Sequence, residues 1–97
     1  MTEQPKVAIV TGAGTGVGKA VAQILLRNGY CVTLTGRRSK LLEAAASESG
    51  ADSKAVFCHQ TDVRHAEEVD SLFDAAIERF GRIDLLFNNA GIGARAV

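Results

Sequence analysis

Cysteine and histidine are scarce in this chain, with two of each among 97 residues. Cys31 and Cys58 stand in separate apolar runs, and neither belongs to a Cys-x-x-Cys pair. No metal site is therefore expected, and both thiols should be free and buried, as in a reducing compartment. Neither sign of charge is in excess: eleven basic residues meet eleven acidic ones. That balance gives no support to nucleic-acid or membrane-surface binding, which calls for a basic surplus. Long apolar runs are missing too, and nothing approaches the ~20 residues of a membrane span. The first six residues are polar and lack the apolar core of a secretory signal. The one proline is Pro5, and no repeat, linker or low-complexity segment follows it. A cytoplasmic globular protein of at most one small domain is expected.

Glycine, by contrast, is concentrated. Gly12, Gly14, Gly16 and Gly18 alternate after the apolar run Val7-Ala8-Ile9-Val10, which is rich in β-branched residues. A helical pattern of Val17, Val21, Ile24 and Leu25 follows. Strand, glycine turn and helix together suit a phosphate. Glycine lets the backbone come close to an anion, and the amides and dipole of a helix N-terminus favour negative charge. Two familiar phosphate loops do not fit. A Walker A loop fails at Ala13 and Ala20, where it needs a glycine and a hydroxyl. The dinucleotide fingerprint G-x-G-x-x-G, begun at Gly12, fails at Val17.

The remaining periodicities alternate between strand and helix. Strands are expected over about 6–10, 30–35, 54–59 and 83–87. Helices are expected over about 16–28, 40–48 and 65–80. Ser39 is the expected N-cap of the second helix, and Gly29 and Gly81 close the first and third. The third helix has the clearest stripe: Val69, Leu72, Phe73, Ala76, Ile77 and Phe80. The order β-α-β-α-β-α-β implies an α/β fold, a doubly wound parallel sheet with helices on both faces. Ligands of such sheets sit beyond the C-terminal ends of the strands.

Four loops fall at those ends. The first holds Gly12, Thr15, Gly16, Val17 and Gly18, whose backbone would cradle a pyrophosphate. The second reads Thr35-Gly36-Arg37-Arg38. An acid there would bind a ribose 2′-hydroxyl and repel a 2′-phosphate; arginine offers the phosphate a bidentate donor. Arg37 and Arg38 therefore favour NADP(H) over NAD(H). The third loop holds Asp62 and Val63, and an Asp just before a helix is ordinarily an N-cap. The fourth is Asn88-Asn89-Ala90-Gly91, which taken alone suits an Asx turn.

Thr11-Gly12-x-x-x-Gly16-x-Gly18 and Asn88-Asn89-Ala90-Gly91 together resemble the short-chain dehydrogenase/reductase family, and the resemblance runs from about residue 6 to 91. It implies a Rossmann-like fold. It also implies that Asp62 accepts from the adenine amino group with Val63 supporting the ring, and that Asn89, Ala90 and Gly91 line the ribose side. The implied chemistry is hydride transfer between NADP(H) and a small-molecule carbonyl or alcohol, in a full-length protein expected to be a homo-oligomer. The family's acid/base tyrosine, with a lysine four positions on, lies past Gly91. Here the only tyrosine is Tyr30, and position 34 is Leu. No catalytic residue is thus expected within 1–97, which is read as a partial domain, the cofactor-binding half truncated after the fourth strand. Two alternatives are a non-catalytic NADP-binding module and a phosphotransferase using the glycine turn and Lys19.

Overall fold

Val7–Thr11 forms β1, and all five of its side chains are buried. An unbroken apolar run rich in β-branched residues can satisfy this only in the middle of a sheet covered on both faces. The computed structural model describes residues 4–89. Within them follow α1 (Gly16–Arg27), β2 (Cys31–Gly36), α2 (Ser39–Ser49), a short 3-10 turn (Ser53–Ala55), β3 (Val56–Gln60), α3 (Ala66–Phe80) and β4 (Leu85–Phe87). The sheet order is β3-β2-β1-β4, with every pair parallel. Val10 lies opposite Leu34 on one side and Phe87 on the other.

The alternation of β1 divides the core. Ala8 and Val10 face a cluster with Val32 and Leu34 of β2, Ala22 and Leu26 of α1, and Leu42 and Ala45 of α2. Ile9 faces the opposite layer, against Leu72 and Ala76 of α3, with Phe73 and Ile83 packed alongside. Full burial of a Leu or Ile stabilises by ~1.5–3 kcal/mol. Ile9, Leu34, Leu42 and Leu72 are the largest apolar residues at that limit. Gly29 (φ 87°) and Gly81 (φ 87°) adopt the left-handed turn that ends α1 and α3.

Several expectations shift for physical reasons. On α1 the inward residues are Gly18, Ala22 and Leu26, whereas Val17 and Ile24 are 62% and 51% exposed. The helix is turned so that Gly18, not Val17, faces inward, against the glycine turn and Asn89. On α2 the N-cap is Arg38 and Ser39 is already helical. Before β3, the Asp52 carboxylate accepts from the Lys54 N–H (2.8 Å), starting the 3-10 turn where strand had been expected. β4 is short because Asp84 Oδ2 accepts the Val7 N–H (2.8 Å), in place of a backbone carbonyl. Both cysteines are free but half-buried rather than buried. Cys58 lies opposite Leu34, three positions beyond Cys31 on β2, or ~10 Å along the strands. That exceeds the ~7 Å reach of a disulfide.

Candidate cofactor-binding site

The loops after β1, β2 and β3 enclose a cleft of about 560 Å³. Gly12, Gly14 and Thr15 line it from the first loop, Arg37 and Arg38 from the second, and Asp62, Val63 and Arg64 from the third. Leu41 and Leu42 of α2 add an apolar wall. Three segments far apart in the chain thus converge at the C-terminal edge of the sheet.

The first loop is built by backbone conformation. Gly12 (φ 63°) and Gly16 (φ 55°) occupy the left-handed region, which side chains disfavour. The Ala13 N–H donates to the Thr35 carbonyl (3.1 Å), fixing the turn to β2. Thr15 is the N-cap of α1 but makes no side-chain cap bond, and the first turn carries no acid. The amides of that turn are left to an anion. A Cβ built on Gly14 would lie 2.9 Å from Leu41 Cβ. Glycine there is what lets α2 close on the loop.

Gly18 faces away from the cleft. A Cβ on it would stand 2.2 Å from the Gly12 carbonyl oxygen and 3.0 Å from Asn89 Nδ2. Its place is the close packing of α1 against the glycine turn and the fourth loop. Gly16 and Val17 do not line the cleft either, and Val17 points to solvent. The Asn89 N–H donates to Thr11 Oγ1 (2.8 Å), and Thr11 Oγ1 donates to Asn88 Oδ1 (3.2 Å). Thr11, fully buried, therefore couples the first and fourth loops, a role its sequence position just before the turn could have suggested. Ala90 and Gly91 lie outside the described residues.

In the second loop, Arg37 and Arg38 are exposed. Neither guanidinium pairs with a carboxylate among the described residues. Gln60 Nε2 donates to the Arg37 carbonyl (2.8 Å) and ties this loop to the third.

In the third loop, Asp62 is not a helix cap. His65 holds the N-cap position of α3, without a side-chain cap bond. Asp62 Oδ1 accepts from the Arg64 backbone N–H and Nε, each at 3.0 Å, and Oδ2 accepts from Arg64 Nη2 at 2.8 Å. The Arg64 guanidinium holds the Asp62 carboxyl well below the usual carboxylate range. Arg64 was not visible as a site residue in the sequence; its signal is the Asp-x-Arg spacing, short enough to close a ring. Behind them the Asp62 N–H donates to Glu68 Oε1 (2.8 Å).

A phosphotransferase fits poorly here. Lys19 Nζ lies 2.7 Å from Glu48 Oε1, so it joins α1 to α2 rather than reaching the cleft. No cluster of His, Cys, Asp and Glu able to hold a metal occurs among the described residues. No helix there is long and apolar enough to cross a membrane.

The profile of the short chain dehydrogenases matches residues 6–97. An uncharacterized oxidoreductase of Staphylococcus aureus is 44% identical over 86 residues, covering 89% of this chain and 36% of that protein. Two solved structures share the fold. One is an actinorhodin polyketide ketoreductase with NADPH, with a TM-score of 0.83 at 35% identity, covering 94% of this chain and 35% of that one. The other is a 3-ketoacyl-(acyl-carrier-protein) reductase from Brucella melitensis complexed with NADH, with a TM-score of 0.77 at 32% identity, covering 84% and 32%. The chain thus spans about a third of the length of the proteins it matches. Its parallel sheet, its glycine turn and the match over residues 6–97 make it a member of the short-chain dehydrogenase family of oxidoreductases.

Proposed function

We propose that this chain forms the NADP(H)-binding part of an oxidoreductase that moves a hydride between a nicotinamide ring and the carbonyl or alcohol carbon of a small molecule. One observation carries the cofactor choice. Arg37 and Arg38 stand exposed on the cleft wall, and neither has a carboxylate partner among the described residues. A ribose 2′-phosphate would meet planar, charged donors there and no opposing acid at the end of β2. Solved relatives hold NADPH in one case and NADH in another, so the family alone does not choose.

The residues lining the cleft suit the phosphate and adenine ends of such a cofactor. The pyrophosphate would rest on the glycine turn at Gly12, Gly14 and Thr15, which line the cleft, beside the uncapped first turn of α1. The adenine would lie against Val63 and the leucine wall, with Asp62 accepting from its amino group. Asn89, with Ala90 and Gly91, would line the ribose side. When bound, the cofactor supplies the hydride donor or acceptor. Residues 4–89 would bind and orient it; Tyr30, the one tyrosine, precedes β2 at the end remote from the cleft and packs on the core. No side chain among residues 4–89 is proposed as a proton-transfer group.

Titrating NADPH and NADH into the protein, followed by nicotinamide fluorescence, tests the reading. NADPH should bind at least roughly tenfold more tightly. Arg37→Ala should raise the NADPH dissociation constant and leave that of NADH nearly unchanged. A lost charge-assisted contact costs ~1.5–3 kcal/mol, about tenfold to a hundredfold. Equal affinity of the unmodified protein for both cofactors would contradict the assignment.

A further inference from the structure

Asp62 is the one carboxylate lining the cleft among the described residues, and its orientation is fixed from outside. A carboxylate offers about four lone-pair positions. Arg64 fills three of them, two on Oδ1 and one on Oδ2. His65 Nε2 stands 3.6 Å from Oδ2, too far for a hydrogen bond. One acceptor position is therefore left, on Oδ2. The backbone beneath is held as well: the Asp62 N–H donates to Glu68 and the Thr61 N–H donates to the Gly36 carbonyl, each at 2.8 Å. The Arg64 side chain is 70% exposed while that of Asp62 is 19% exposed, so the clamp closes over the carboxylate from the solvent side.

We infer that Arg64 is a positioning residue for the base of the cofactor, locking the Asp62 carboxylate so that its one remaining acceptor position meets the exocyclic amino group of adenine. The inference rests on the proposed cofactor cleft. It makes Arg64 a determinant of base identity, separate from the 2′-phosphate contacts of Arg37 and Arg38. The carboxylate torsion of a free Asp is broad, so an unclamped Asp62 would present either oxygen at many angles. A purine with a carbonyl in place of the amino group would set acceptor against acceptor at Oδ2. A fixed carboxylate rejects such a base, because the part-exposed acceptor would lose its water beneath the base without gaining a donor. Arginine suits the task because its rigid fork grips both oxygens at once, which a lysine ammonium cannot do.

The test compares NADPH with its hypoxanthine analogue, which carries that carbonyl. Dissociation constants are measured for the unmodified protein, Arg64→Ala and Arg64→Lys, with circular dichroism confirming that each variant is folded. The unmodified protein should favour NADPH. Arg64→Ala should lower this base preference by roughly three- to tenfold, as expected when one hydrogen bond is loosened. Arg64→Lys should restore little of it, and the preference for NADPH over NADH should stay where it was. An unchanged base preference in both variants would overturn the role of Arg64 while leaving the cleft in place. A fall in the NADPH-to-NADH preference instead would overturn it by assigning Arg64 to the 2′-phosphate. Failure of the unmodified protein to bind any of the three cofactors would overturn the cleft itself, and this inference with it.

Discussion

Gly18 has no room for one more carbon. Its missing Cβ would overlap the Gly12 carbonyl at 2.2 Å, and that carbonyl belongs to a turn pinned on both sides. Gly18→Ala should therefore push α1 off the turn and open the cleft. Overpacking of this kind costs ~1–3 kcal/mol, and a lowered melting temperature together with weakened NADPH binding should report it. A variant with wild-type melting and binding would show that the turn yields freely. Thr33 presents the reverse case. Its Oγ1 is buried and finds no hydrogen-bond partner among the described residues, on the β2 position opposite Ile9. A buried hydroxyl left unpaired is a cost of ~1–3 kcal/mol, and an apolar group of the same shape removes it. Thr33→Val should raise the midpoint of chemical denaturation. A lower midpoint would mean that the hydroxyl is satisfied after all.

Elements are joined here by polar ties that hydrophobic periodicity does not encode. β4 reaches β1 through Asp84, whose Oδ2 accepts the Val7 N–H while its own N–H donates to the Val7 carbonyl, both at 2.8 Å. Arg82 Nη2 donates to the other carboxylate oxygen, also at 2.8 Å. The Arg82 hydrogen bond, then the Val7 N–H, hold the Asp84 carboxyl below its ordinary value of 3.8. A depressed carboxylate contributes stability that is complete above the unfolded-state value and is lost as the pH falls through the folded-state one. Asp84→Ala should therefore destabilise clearly near about pH 7 and far less near about pH 2, as denaturation midpoints at the two pH values would show. An equal loss at both would remove the charge from the account. The same contrast explains what the sequence makes legible. The apolar runs and glycine stops reveal the strands, the helix ends and the parallel order. They do not reveal that Gly18 rather than Val17 faces inward, because that depends on a backbone contact with Gly12. Nor do they reveal Arg64 in the site, since a single polar residue leaves no periodic trace. The glycine turn and the arginine pair were legible because local composition alone makes them unusual.

At the scale of the whole molecule, one edge of the sheet gathers the loops after β1, β2 and β3 around one cleft. The opposite end carries Tyr30 and the Asp84 tie, and β4 exposes Leu85 and Leu86 at 40% and 41%. On the proposed function, the three loops around the cleft act together on one nicotinamide cofactor. Backbone amides that gain a ligand or lose their local opening exchange more slowly with solvent, so hydrogen exchange reads the bound surface directly. The protein should be followed by exchange mass spectrometry with and without saturating NADPH. Protection is expected in the segments spanning residues 12–18, 36–38 and 61–64, with segments of α3 distant from the cleft unchanged. NADPH binding that protects other segments and leaves these three untouched would contradict the account.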